Sequence, residues 1–191
     1  MPYVEKPRRS IWTWGFQKNE PTDEDRVNHA VELSRKLGVE IEVPRIPVAN
    51  DLQLREPRIK LPEFLQHFCF TDNYERAMHS YGAERELAAL GEFPNPPDVV
   101  AHPSDEVELE KVLEWCDKNK FATIPYGGGS SVVGGVTPPS DIGPVVTIDM
   151  DQFDRVVEID DVSRAARIQA GIFGPNLENQ LRPSGHTLRH F

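Results

Sequence analysis

Apolar positions recur at helical spacing in two long stretches of the chain. Over Asp23–Leu37, Val27, Ala30, Val31 and Leu33-Ser34 put apolar groups on one face, and Gly38 follows as a stop. Further on, Leu109, Val112, Leu113 and Cys116 fall at i, i+3, i+4 and i+7, the spacing of a helix that packs one face on a sheet. Ser104 stands where an N-cap belongs, Asp105 and Glu106 occupy a first turn that favours negative charge, and Lys118, Asn119 and Lys120 suit the end. Between these helices the pattern is broken. Pro44, Pro47, Pro57 and Pro62 deny residues 43–62 both a long helix and a central strand, so an irregular connector is expected. Residues 61–90 read as a helical pair with Arg76, His79 and Tyr81 between its members. The turn formers Gly91-Glu92-Phe93-Pro94-Asn95-Pro96-Pro97 mark a domain boundary.

Beyond that boundary the period shortens. Asp98-Val99-Val100-Ala101 reads as a strand, as do residues 121–125, 145–148, 156–159 and 165–169. A short helix after Pro175 carries Leu177 and Leu181 and stops near Gly185. The order strand, helix, strand, loop, strand predicts an α+β or α/β module over 95–191, preceded by a mostly helical and irregular extension over 1–94. Trp12, Trp14 and Phe16 cluster early in the extension, as an aromatic anchor or as core packing.

Composition narrows the function classes. The 191 residues carry a net charge of −10, which gives a nucleic-acid role no electrostatic footprint and disfavours anionic membranes. No apolar run has the length of a transmembrane segment, and the start lacks a signal-peptide core. Cys69 and Cys116 have no metal or redox spacing, and reduced, partly buried thiols in a cytoplasmic protein are expected.

The run Pro125-Tyr126-Gly127-Gly128-Gly129-Ser130-Ser131-Val132-Val133-Gly134-Gly135 carries the chemistry. Three consecutive glycines allow positive φ and let several N–H groups approach one ligand, and two hydroxyls follow at once. A P-loop would need Lys-Ser/Thr after its last glycine, and none is present. The dinucleotide fingerprint opens a helix, whereas this loop runs into Val136-Thr137-Pro138-Pro139. A diphosphate held mainly by backbone amides and hydroxyls suits what remains; the alternative is a glycine-rich surface turn.

This loop resembles the FAD pyrophosphate loop of the FAD-linked oxidases of the vanillyl-alcohol oxidase/PCMH type. Pro97-Asp98-Val99-Val100, Thr147-Ile148-Asp149-Met150 and Ala170-Gly171 agree with it. Trp12-Thr13-Trp14-Gly15 and the segment Arg76-Ala77-Met78-His79-Ser80-Tyr81-Gly82 resemble a narrower branch, that of the alkyldihydroxyacetonephosphate (alkylglycerone-phosphate) synthases. The resemblance implies an α+β PCMH-type FAD-binding domain, here its first α/β subdomain and C-terminally incomplete, with no substrate domain. A fragment, or a subunit that pairs with a separate chain, would fit that. The isolated chain is then expected to bind FAD weakly or not at all. The implied activity is exchange of an acyl for an alkyl chain on dihydroxyacetone phosphate. The alternative is an FAD-linked 2-hydroxy-acid (glycolate or D-lactate) dehydrogenase or oxidase, and a non-catalytic remnant is a third possibility.

The expected cofactor contacts are Gly127, Gly128, Gly129, Ser130 and Ser131, with Pro125 and Tyr126 setting the approach and Val132, Gly134 and Gly135 on the far side. By resemblance, Asp149 and Gly171 belong near the adenosine or flavin. Arg76 and His79 lie one helical turn apart and could hold a phosphate or an acidic head group; a surface or interdomain pair is the plainer reading. Arg189 and His190 are further candidates, and His102 beside Pro103 reads as a loop residue. No zinc spacing, Ser-His-Asp order or catalytic carboxylate pair stands out, so chemistry would belong to a non-covalent FAD acting on a small-molecule substrate.

Overall fold

The computed structural model describes residues 6–189. The extension contains α1 (Asp23–Leu37), a short strand β1 (Cys69–Phe70) and two short helices, α2 (Asn73–Met78) and α3 (Glu86–Ala89). After the turn-rich segment come β2 (Val99–Ala101), α4 (Glu106–Asn119), β3 (Ala122–Tyr126) and β4 (Val145–Asp149). A hairpin of β5 (Val156–Asp160) and β6 (Ala165–Ile168) follows, then α5 (Gly174–Leu181). The mixed α/β architecture matches the expected class. Strand β4 is the centre of a four-stranded sheet of order β1-β2-β4-β3, in which β2 and β3 run parallel to it and β1 is antiparallel to β2. Every residue of β4 is buried, as a strand flanked on both edges and covered on its faces must be.

Helix α4 covers one face of this sheet. Val112 and Cys116 pack with Val99, Ala101, Val146 and Ile148, while Leu113, expected on the same face, is 43% exposed. Its N-cap is Asp105 rather than Ser104: Asp105 Oδ1 accepts the Glu108 N–H at 2.9 Å, and Ser104 donates its N–H and hydroxyl to the Glu108 carboxylate. Lys120 closes the helix in the left-handed conformation at φ 59°. Burial pushes the Cys116 thiol up to about 12 and Cys69 higher still, so both remain thiols.

The extension departs from its sequence reading in two places. Residues 61–90 form a strand and two short helices; His79, the C-cap of α2, and Tyr81 lie between the helices as expected, whereas Arg76 lies inside α2. Helix α1 ends at its expected Gly38 stop and starts from a Thr22–Asp25 capping box that was not anticipated, yet Val27 and Val31 are 49% and 64% exposed, because among the described residues only Ala30 of that helix is buried. Elsewhere the extension is built into the body. Ile59, Leu65, Phe68 and Cys69 share the core of the sheet, and Ile11, Met78, Tyr81 and Phe93 form a second cluster with Trp12 at its edge.

Asp98, just before β2, ties the two together. It is fully buried and accepts from Arg55 Nη1 at 2.6 Å, Arg58 Nη2 at 2.8 Å and the Arg58 and Val145 N–H groups at 2.8 Å each. Burial opposes its charge, but these donors outweigh that and hold the carboxyl far below its ordinary 3.8. A depressed folded-state value contributes stability that is present above the unfolded value and lost as pH falls towards the folded one. Unfolding midpoints for the wild type are therefore expected to decline below about pH 4. Asp98→Ala should lose about 2–4 kcal/mol at neutral pH and much of that acid slope. Denaturant titration across pH tests both; an unchanged slope in the variant would contradict the role given to Asp98.

Candidate functional site

Strand β3 delivers Tyr126, fully buried, to the base of the glycine loop. Its hydroxyl lies 3.5 Å from the Met78 carbonyl and 3.4 Å from that of Tyr81, and its ring packs edge-on against His79 at 4.5 Å. Gly129 crosses above it at φ +66°, where a Cβ would run into the Tyr126 hydroxyl. Only glycine meets both demands. Ser131 braces the loop from the other side: its carbonyl accepts the Ala83 N–H at 2.8 Å, and its Oγ accepts the Gly135 N–H at 2.9 Å. Gly82 is glycine because a Cβ there would sit 2.5 Å from that same Ser131 carbonyl. Gly134 has φ +69°, and Val132 and Val133 point outward, 72% and 91% exposed.

Two cavities open beside this loop. One, of about 440 Å³, is lined by Gly128 and Ser130 together with Arg9, Trp14, Arg85 and the start of α5 at Gly174. The other, of about 490 Å³, is lined by Lys6, Arg9, Glu75, His79, His102 and Asp149 among others. They share Arg9, Phe16, Met78 and Phe173. Arg9 stands on the partition, its guanidinium 5.3 Å from the Tyr126 ring centre, donating to the Gly128 carbonyl at 3.2 Å and 3.5 Å from Asp149.

The larger cavity rests on a buried network of imidazoles and carboxylates. His79 Nδ1 donates to the Glu75 carbonyl at 2.7 Å, and its Nε2 meets Asp149 at 2.8 Å. His102 bridges Asp151 and Glu75 at 3.0 Å each, and Asp149 accepts the Asp151 N–H. Burial alone would lower the His102 value, but two carboxylates in contact outweigh it and push it up to about 10. Glu75 and Asp149 are held below the ordinary carboxylate range: burial opposes this, and the imidazoles overcome it. Glu75, His79 and His102, and again His102, Asp149 and Asp151, bring their donor atoms within 4.8 Å of one another, a spacing a cation could use. The hydrogen bonds fill those same atoms with protons.

Of the residues singled out in the sequence, Gly128 and Ser130 line the smaller cavity, and His79 and Asp149 the larger. Pro125, Tyr126, Gly127, Gly129, Ser131, Val132, Gly134, Gly135 and Gly171 line neither, acting on the loop's shape or its surroundings. Gly171 lacks a Cβ because the Met150 carbonyl occupies the space one would need. Arg76 and His79 do not share a target. Arg76 is buried and donates from Nε to the Pro97 carbonyl at 2.8 Å and from Nη2 to that of Arg55 at 2.7 Å, so it clamps backbone. Arg189 is exposed, and His190 lies outside the described residues. His102 is a buried network member, not a simple loop residue. Sequence reading passed over Arg9, Glu75, Arg85 and Asp151; the signal for the last was an Asp149-x-Asp151 pair at the end of a strand, facing a histidine just past the neighbouring strand.

Residues 97–191 match the family model described as "FAD binding domain", and this part of the chain belongs to that family. The curated relatives include alkyldihydroxyacetonephosphate synthases and, at lower identity, D-lactate and D-2-hydroxyglutarate dehydrogenases. An alkyldihydroxyacetonephosphate synthase of Dictyostelium discoideum is 33% identical over 160 residues, 78% of this chain and 26% of the relative. One of Caenorhabditis elegans is 39% identical over 101 residues, 52% of this chain and 17% of the relative. A mitochondrial cytochrome D-lactate dehydrogenase of Saccharomyces cerevisiae is 28% identical over 118 residues, 60% of this chain and 20% of the relative. A solved alkyldihydroxyacetonephosphate synthase superposes with TM-score 0.73 at 24% identity, over 94% of this chain and 39% of that one, which establishes the PCMH-type fold. The chain thus spans about a quarter of the Dictyostelium relative.

Two measurements check this geometry. A raised folded-state value gives His102 a stabilising role that is complete below about pH 6.5 and lost as pH rises towards about 10. Wild-type stability should fall across that window, and His102→Asn should be less stable yet flat over it; a wild type that is flat there would contradict the imidazolium. Gly129→Ala should lose about 2–4 kcal/mol through its φ and the Tyr126 hydroxyl, and Tyr126→Phe in the same background should recover part of it.

Proposed function

We propose that this chain supplies the diphosphate-binding part of a non-covalent FAD site, in a cytoplasmic enzyme of the alkylglycerone-phosphate synthase type. The glycine loop carries the reading: it stands at the end of a central-sheet strand, in a segment of the FAD binding domain family, and presents Gly128 and Ser130 to a cavity. The residue set fits the group, because a close-approach glycine, the Ser130 hydroxyl and a cation-lined pocket suit a diphosphate. Gly127 to Ser131 would hold the diphosphate, with Tyr126 beneath them and Asp149 and Gly171 shaping the ground alongside. FAD, when bound, supplies the chemistry, which in this branch assists exchange of an acyl for an alkyl chain on dihydroxyacetone phosphate, a transferase step of ether-lipid type without net oxidation. The chain's own residues bind and orient, with His79 held between the Glu75 carbonyl and the Asp149 carboxylate. No helix among the described residues is long and apolar enough to cross a membrane.

The synthase branch is preferred to a 2-hydroxy-acid dehydrogenase because the Dictyostelium synthase matches 78% of the chain at 33% identity, against 60% at 28% for the D-lactate dehydrogenase. A protein spanning the relatives' full length, assayed with 2-hydroxy acids and an artificial electron acceptor, separates the two. Slow or absent flavin reduction is expected, and rapid reduction would overturn the synthase reading. For the chain alone, FAD fluorescence quenching should report weak binding that Ser130→Ala weakens about fivefold to tenfold further.

A further inference from the structure

The smaller cavity holds a charge that the fold does not answer. Arg85 enters it from the N-cap of α3 and is 8% exposed. Its Nη1 donates to the Ser10 and Ile11 carbonyls at 3.2 and 3.3 Å, and the guanidinium lies 5.7 Å from the Trp14 ring centre. Its Nε has no hydrogen-bond partner. Among the described residues no carboxylate stands in ion-pair contact with it; burial depresses its basicity, the Tyr126 hydroxyl works against that, and the Arg9 guanidinium adds to it. Burying a cation without an anion is costly. Arg76 is also buried, but its donors reach the Pro97 and Arg55 carbonyls and it faces neither cavity.

The cavity walls sharpen this. Two arginines line it, and no aspartate or glutamate does, in a chain whose net charge is −10. The start of α5 contributes Gly174, following an N-cap residue, Phe173, that offers no side-chain acceptor. The first residue of α5, a serine hydroxyl and two guanidiniums therefore converge on one space beside the glycine loop.

We propose that Arg85, with Arg9, is the counter-charge for a phosphate group bound in this cavity. The extension would then complete a site that the glycine loop only begins. The inference deepens the flavin reading and rests on it for bringing a phosphate to the loop. Two sources share that chemistry: the FAD diphosphate and the phosphate ester of a small substrate.

The test is calorimetric titration of the chain at low ionic strength with inorganic diphosphate, FAD, riboflavin and dihydroxyacetone phosphate. Wild type is expected to bind diphosphate, and Arg85→Met to bind it about tenfold or more weakly, with Arg85→Lys between them. Riboflavin, which has no phosphate, should not distinguish wild type from variant. A parallel loss for FAD assigns the site to the flavin diphosphate, and a loss for dihydroxyacetone phosphate alone assigns it to the substrate ester; either sustains the proposal. Diphosphate bound equally by wild type and Arg85→Met, or not bound by wild type, overturns it. Should Arg85→Met fail to fold, Arg9→Met, at the cavity edge, must show the same loss or the proposal falls. The flavin reading fails separately, if diphosphate binds through Arg85 while FAD binds no better than riboflavin.

Discussion

The close passage of the glycine loop over Tyr126 is the constraint on which the rest of the structure depends. Tyr126 ends a strand paired along its length to the buried β4, so its position is set by the sheet. Its hydroxyl reaches the extension at the Met78 and Tyr81 carbonyls, and Gly129 passes above that hydroxyl only because it lacks a Cβ. Sheet, loop and extension therefore meet at one side chain. Ser131 repeats the arrangement on the far side, where Gly82 admits its carbonyl. The glycines of the loop and the glycine of the extension answer a shared packing problem, and the cavity beside Gly128 is its by-product.

The sheet and its helices were legible because their signals are local. Periodicity located α1, α4 and five of the six strands among the described residues to within a residue or two, since burial of one face leaves a pattern in the chain. The strand β1 was missed, being two residues long and defined by pairing with β2 rather than by its own composition. The N-cap of α4 moved from Ser104 to Asp105 because Glu108 takes both Ser104 donors. The uncovered face of α1 was not foreseeable, as amphipathicity states only that a face needs covering.

The site was legible in one half. A glycine run declares itself in sequence, because backbone freedom is a property of the residue. Countercharge is a property of the fold. Arg9 and Arg85 lie more than forty residues before the loop and reach it only when the extension packs over Tyr126. His102 meets Asp151 through the parallel pairing of β2 and β4, which aligns the ends of the two strands, and His79 reaches Asp149 from the C-cap of α2. Arg76, by contrast, looked like half of a binding pair and is a backbone clamp, because helical spacing fixes where a side chain starts and not what it finds.

An acidic chain has thus concentrated positive charge where its extension meets its glycine loop. The most direct test of that account is the set of backbone amide resonances of the labelled chain on adding FAD. Shifts concentrated at Gly127–Ser131 and Arg85, with the Arg85 Nε–H moving alongside them, are expected. Shifts confined to residues remote from the loop would contradict it.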